Sequence, residues 1–199
     1  MISDKIPTFV KDIFGIIMFV ILVIAGVLFI NSFIFRSFNV EGPSMEKTMF
    51  TGDKLIANKI PSTISHIQGK EYEPERGQII VFKNPEYSLR FANKDEYIVK
   101  RVVGLPGDTV HVAGGKVSIV NQTSPEGFDP DALTKDKEGA PTSGDVISKV
   151  PKGEVFVMGD HRQGNYSLDS RSGLGTIPYE DIVGPVTMRL FPFQDFRWF

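Results

Sequence analysis

Tyr97-Ile98-Val99-Lys100-Arg101-Val102-Val103-Gly104-Leu105-Pro106-Gly107-Asp108 is an apolar run that holds two cations and closes in a Gly/Pro turn. Its β-branched residues and period of two read as a strand feeding a rigid turn. That period puts Ile98, Lys100 and Val102 on one face and Arg101 on the other. Lys100 therefore has apolar neighbours along its own strand. Burial in such a setting disfavours the ammonium and lowers the pKa of a lysine. The plainer alternative is a lysine that snorkels to water at a sheet rim.

The surrounding sequence repeats the β pattern. Gln78–Phe82 (Gln-Ile-Ile-Val-Phe) is of strand length and apolar throughout after Gln78, which suits a strand buried on both faces. Thr-Val-His-Val-Ala and Lys-Val-Ser-Ile-Val flank Gly114-Gly115, a pair suited to the positive φ of a tight hairpin turn. Glu154–Met158 and Ile182–Leu190 read as further strands, and Lys54–Ile60 is mixed. Asn121–Lys149, rich in Pro, Gly, Asp, Lys and Thr, reads as a surface excursion. The soluble part is expected to be mainly β.

Upstream lies a different kind of segment. From Ile13 to Phe35 no residue is charged, and from Ile13 to Ile30 none is polar. As a helix rising ~1.5 Å per residue, such a run crosses the ~30 Å hydrocarbon layer. A cleavable signal peptide would have an apolar region of only about 7–15 residues, closed by a small-x-small site. This run is longer and continues into Asn-Ser-Phe-Ile-Phe-Arg, so an uncleaved anchor is expected. Lys5 and Lys11 precede it, diluted by Asp4 and Asp12, and set its orientation only weakly. The expected organisation is a short cytoplasmic tail (1–12), an anchor (13–35) and a β domain (36–199) carrying a surface insert at about 113–152.

At 199 residues, 41% hydrophobic and 23% charged, the chain can bury one sizeable core. Its net charge of -2 gives no basic footprint for nucleic acid. With no cysteine, thiol catalysis, disulfides and thiolate metal sites are excluded together.

Chemistry concentrates just beyond the anchor, in Phe38-Asn-Val-Glu-Gly-Pro-Ser-Met-Glu-Lys-Thr-Met-Phe50. Gly42 allows close backbone approach and Pro43 stiffens it, presenting Ser44 as a candidate nucleophile. The ordinary reading of Gly-Pro-Ser-Met is a turn. A serine hydroxyl needs a base to be nucleophilic. Lys100 is the leading candidate, since Lys47, Lys54 and Lys59 lie in polar or turn-like contexts and His66 and His111 lie in no motif. His161, in Gly-Asp-His-Arg, is the rival.

Several blocks in order now carry a resemblance: the anchor, Gly-Pro-Ser-Met, Arg-Gly-Gln-Ile-Ile-Val-Phe-Lys-Asn-Pro, Val-Lys-Arg-Val-Val-Gly-Leu-Pro-Gly-Asp, and Gly-Asp…Ser-Leu-Asp-Ser-Arg. The chain resembles the type I signal peptidases, membrane-anchored serine proteases that remove signal peptides from exported preproteins. The resemblance implies a signal-peptidase-like β-sheet catalytic domain with Ser44 as nucleophile and Lys100 as general base, a variant of the Ser-His-Asp logic. It also implies Ser167 as the hydroxyl that orients the lysine amine. Asp160 with Arg101, and Asp169 with Arg171, correspond to pairs that hold this wall, while the Ser44 backbone N–H and the group at Gly42 face the oxyanion. Val40, Met45, Met49, Ile98 and Val99 would line a shallow P1 pocket, and Phe38, Leu55 and Val81 would bound P3, with small residues, chiefly Ala, accepted at both.

No cofactor or metal is implied. The implied partners are signal-peptide-bearing preproteins and the lipid bilayer, and the implied location is a single-pass protein of the plasma membrane with its catalytic domain on the extracytoplasmic side. Eight residues from Arg36 to Ser44 keep the nucleophile within ~29 Å of the anchor's end. Phe191, Phe193, Phe196, Trp198 and Phe199 crowd the C-terminus beside two arginines, which suits either a membrane interface or a closing strand. Three positions depart from the family: Lys47 and Met49 stand where Pro and Leu are usual, and His161 where Asn is common. Four residues, not the frequent two, separate Arg162 from Ser167. The competing reading is a degenerate relative that keeps the fold as a binding module for assembly of surface structures. A soluble self-cleaving repressor-type protease would instead need a DNA-binding helical domain in place of the anchor.

Overall fold

The computed structural model describes residues 8–84, 96–133 and 141–199. Residues 1–7 of the expected tail and 134–140 of the expected excursion lie outside the described residues. The apolar run forms α1 (Thr8–Phe33), a helix of 26 residues that starts five residues before the expected anchor and ends two before its limit. Its span Phe9–Phe33 has a mean hydropathy of 3.2 and none of it is buried against the rest of the chain. A helix apolar on every side and unpacked by protein matches a bilayer, not a core.

Beyond α1 the chain is β, as its alternation requires. The strands are β1 (Phe35–Asn39), β2 (Lys54–Asn58), β3 (Ile79–Lys83), β4 (Tyr97–Gly104), β5 (Thr109–Ala113), β6 (Lys116–Asn121), β7 (Ser124–Phe128), β8 (Val146–Lys149), β9 (Glu154–Met158), β10 (Ile177–Pro178), β11 (Ile182–Phe191) and β12 (Arg197–Trp198). One sheet runs β1-β2-β11-β3-β4-β9-β10 with β12 paired to β11, and a second runs β7-β6-β5-β8. All the pairings are antiparallel. The long β11 joins the large sheet's halves: Ile182–Pro185 pairs with β3, and Val186–Phe191 with β2.

Alternation along β3 explains why the sheet is covered on both faces. Ile80 and Phe82 pack into one cluster with Val102, Val155, Val157 and Ile177, while Ile79 and Val81 pack into another with Val40, Met45, Met49 and Leu55. A third cluster (Val103, Val110, Ile119, Phe156, Met158) welds the small sheet to the large one. Phe82 and Phe156 are fully buried, and each such side chain contributes about 1.5–3 kcal/mol by leaving water.

The Gly114-Gly115 hairpin forms in the expected register, Ala113 opposite Lys116, with both glycines at positive φ (57° and 80°). The stretch Asn121–Lys149 is more than an excursion. It supplies β7 and β8 to the small sheet, and Asp131 and Thr142 within it are buried. Its polar composition masked strands whose residues are exposed or half-buried. The mixed segment Lys54–Ile60 resolves into β2 and the first residue of a short helix, α2 (Ile60–Ile67), which Pro61 opens.

Candidate active site

Ser44 sits in the tight loop that follows β1. The loop is closed by backbone bonds from Val40 N to Asp53 O (2.8 Å) and from Gly52 N to Val40 O (3.0 Å). Arg189 clamps Asp53 at 2.8 Å. Met45 and Met49 are wholly buried and pin the loop from below, leaving Ser44 itself half-buried at the surface. An apolar residue every fourth position within one turn-rich loop thus converts a flexible connection into a rigid platform.

Lys100 comes from the middle of β4, and its residue is only 3% exposed. Its Nζ lies 2.7 Å from Ser44 Oγ and donates to its neighbour's carbonyl, Val99 O, at 3.0 Å. Burial pushes the pKa of the amine down to about 8, partly offset by the Asp169 and Asp160 carboxylates and reinforced by Arg171. A buried amine close to neutrality and in contact with a serine hydroxyl is a proton acceptor placed on a nucleophile. The His161 ring, the rival base, turns elsewhere: its Nδ1 lies 3.2 Å from Pro43 O and 3.6 Å from Glu46 Oε2. The ring stacks on Tyr166 at 4.6 Å, and the His161 backbone N–H donates to Ser44 O at 3.0 Å.

Behind the pair stands a charged wall. Arg101, on the opposite side of β4 from Lys100, forms a fork with Asp160 (Nε to Oδ1 2.8 Å, NH2 to Oδ2 2.6 Å), and Thr48 Oγ1 donates to Asp160 Oδ2 at 2.6 Å. Asp169, fully buried, accepts Arg171 NH2 at 2.7 Å, Gly159 N at 2.9 Å and Ser167 Oγ at 2.7 Å. Burial alone would raise the pKa of Asp169, yet Arg171 and these donors hold it below the ordinary carboxylate value. Ser167, itself buried, spends its hydroxyl proton on Asp169, while the bonds of the Lys100 amine go to Ser44 and Val99. The two extra residues of the Arg162–Ser167 loop are absorbed outward. Gly164 N bonds Ser143 Oγ at 2.8 Å, and Arg162 forms a buried pair with Asp131 at 2.5 Å.

A cleft of about 600 Å³ opens onto Ser44 and Lys100. Of the residues expected in the P1 and P3 pockets, Phe38, Val40, Leu55, Val81, Ile98 and Val99 line it, as does Gly42. Met45 and Met49 lie under the loop in the core instead of on the cleft surface. Sequence reasoning did not pick out Tyr97, Tyr166 or Leu168, which also line the cleft. Tyr97 starts the strand that carries Lys100, and Tyr166 and Leu168 flank Ser167, so their position beside expected site residues was the available signal. Arg36, three residues past α1, lays its guanidinium over the Tyr97 ring (4.4 Å) and the Phe38 ring (5.3 Å) and donates to the Tyr97 hydroxyl at 2.8 Å.

A serine placed on a buried lysine in a β-sheet cleft belongs to the chemistry of serine peptidases, which are hydrolases. The sequence profile described as signal peptidase, peptidase S26, matches residues 12–191, and the chain belongs to that family. Curated relatives agree. A signal peptidase I of Bacillus licheniformis is 32% identical over 99% of this chain and 98% of its own. One of Bacillus amyloliquefaciens is 35% identical over 89% and 85%, and signal peptidase I T of Bacillus subtilis (strain 168) is 33% identical over the same shares. A crystal structure of a signal peptidase I from Enterococcus faecalis V583 is 25% identical, covering 58% of this chain and 97% of that one, with a TM-score of 0.41.

Proposed function

We propose that the protein is a membrane-anchored endopeptidase that removes N-terminal signal peptides from exported preproteins, with Ser44 as nucleophile and Lys100 as general base. The observation that carries this reading is the 2.7 Å contact between Lys100 Nζ and Ser44 Oγ, made by an amine whose burial brings its pKa to about 8. At pH 7 roughly one such amine in ten is neutral, against one in a few thousand at the ordinary lysine value. Ser44 Oγ attacks the scissile carbonyl carbon as its proton passes to Lys100. The ammonium then returns that proton to the departing amine of the mature chain. Water, deprotonated by the same amine, attacks the acyl-enzyme ester, and Ser44 leaves with the proton to regenerate the hydroxyl.

The oxyanion is held by the Ser44 backbone N–H and the backbone at Gly42. Asp169 and Asp160 stabilise the ammonium while it exists, and Arg171 and Arg101 fix those carboxylates. Ser167 acts through Asp169, which it bonds. An extended signal peptide pairs by its backbone with the strands beside the cleft, sending the P1 and P3 side chains to the same side. Val40, Ile98 and Val99 meet P1, and Phe38, Leu55 and Val81 meet P3, so small residues fit. α1 holds this cleft at the extracytoplasmic face of the plasma membrane, where an inserted signal peptide presents its cleavage site.

Incubating the purified protein with a preprotein tests this reading. Wild type cleaves at the signal-peptide boundary, and Ser44→Ala, which deletes one hydroxyl from a surface loop, folds and binds membranes but does not cleave. Turnover by a clean Ser44→Ala preparation would refute the assignment.

A further inference from the structure

We propose that α2 is an interfacial helix, lying in the plane of the bilayer surface with Ile60, Ile64 and Ile67 set among lipid headgroups and upper acyl chains. The inference rests on reading α1 as a membrane anchor. A helix leaves its last carbonyls without partners in its own backbone, and near hydrocarbon other protein groups must satisfy them. At the end of α1 three successive carbonyls find partners at the entry to α2, in Lys59 and Thr63. The Lys59 amine donates to Ser32 O, Thr63 Oγ1 to Phe33 O at 3.0 Å, and Lys59 N to Ile34 O at 2.7 Å. Three consecutive carbonyls caught by one turn fix α2 beside the point where the apolar helix stops, and so fix its depth.

What α2 shows to its surroundings at that depth is apolar. Ile60, Ile64 and Ile67 are 38%, 48% and 79% exposed. Spaced i, i+4, i+7, they share one stripe about 60° wide on the helix. No residue of α2 is buried and none from Ile60 to Ile67 is an acid, a lysine or an arginine. Another side faces the domain, where Ser62 Oγ donates to Val183 O at 3.0 Å. Phe35 is 40% exposed and pairs with Asn58 at the end of β2, which extends the apolar patch back to the anchor. One exposed isoleucine is ordinary. Three on a stripe tied to the end of a spanning helix, continuous with its apolar surface, match the amphipathic segments that lie in membrane interfaces.

The chain has no cysteine, so single cysteines can be labelled cleanly. Spin labels at Ile64→Cys, Ile67→Cys, His66→Cys and Leu22→Cys in the full-length protein, reconstituted in phosphatidylcholine/phosphatidylglycerol vesicles, are compared for collision with oxygen (lipid-soluble) and a nickel chelate (water-soluble). Leu22 reports on the anchor and His66 on another side of α2. The expected result is a several-fold higher oxygen-to-nickel ratio at 64 and 67 than at 66, with the highest ratio at 22. A lipid signature at 22 with aqueous values at 64 and 67 overturns the interfacial helix and leaves the anchor standing. Shielding from both agents at 64 and 67 means that protein covers the stripe, and also overturns it. Aqueous values at 22 refute the anchor reading itself.

Discussion

Lys100 is a residue whose neighbours decide its chemistry. Because burial lowers its pKa from 10.5 to about 8, the neutral amine that the proposed general-base role requires is depleted as pH falls. kcat/KM for a preprotein should therefore drop on an acid limb centred near that value, approaching tenfold per pH unit well below it. Lys100→Arg should lose nearly all activity, since guanidinium keeps its proton. His161→Ala should retain most of its turnover with the acid limb in place, because the His161 ring faces Pro43, Glu46 and Tyr166. Activity that survives in Lys100→Met but not in His161→Ala would reverse the two roles. The same shift has a stability sign. The native state surrenders its proton before the unfolded chain does, so between about pH 8 and 10.5 stability should rise with pH. Denaturant titrations of wild type against Lys100→Met, which lacks the titrating group, isolate that rise. A second expectation concerns P1. On the proposed P1 assignment the walls are the apolar side chains of Val40, Ile98 and Val99, so Phe or Lys at P1 should cut kcat/KM by about a hundredfold or more relative to Ala. Period two in Tyr97–Val103 gave Lys100 apolar neighbours along its strand but left a lysine that snorkels to water open, and nothing local to Ser44 named its partner, because the two meet across 56 residues of chain. The bond from Ser167 to Asp169 was illegible for the same reason: which acceptor a hydroxyl meets is settled by tertiary packing.

Elements carry the wall that backs this pair, and Gly159 marks where they press closest. A Cβ built there would lie 2.3 Å from Ser167 Oγ and 2.4 Å from Ser44 O, well inside van der Waals contact. Gly159→Ala should therefore push the loop after β9 away from the loop that carries Ser44. The expected outcome is loss of most activity and a lower Tm, measured by peptide cleavage and thermal denaturation on one preparation. Wild-type values for both would mean the two loops can part freely. Strands such as β3, β4 and β9 were readable because they are apolar and bounded by turns. The Gly-Gly hairpin was readable because its turn chemistry is local. β7 and β8 escaped notice: their residues are exposed or half-buried and none is fully buried, so composition resembled a loop. α2 escaped because eight residues with a leading proline blur into the end of β2, although Ile60, Ile64 and Ile67 already stood at helical spacing.

At the scale of the whole molecule, an apolar helix and a β domain are joined through very few residues, and one of them reaches the cleft. Arg36 follows α1 almost directly, and its guanidinium rests on Tyr97 and Phe38, side chains that line the cleft. If α1 spans a bilayer as proposed, it answers a thicker or thinner one by changing its tilt, at a small cost per ångström of mismatch. Beside the contacts that Lys59 and Thr63 make to the end of α1, Arg36 gives the helix a second contact, this one on the wall of the cleft, so on the anchor reading lipid chain length is expected to register in the rate. Proteoliposomes made with acyl chains from fourteen to twenty-two carbons should show kcat/KM for a fixed preprotein passing through a maximum, and Arg36→Ala should flatten that curve. An equally sharp maximum in the variant would place the coupling elsewhere. Membrane composition would then act on secretion as a rheostat, with no ligand other than the thickness of the lipid itself.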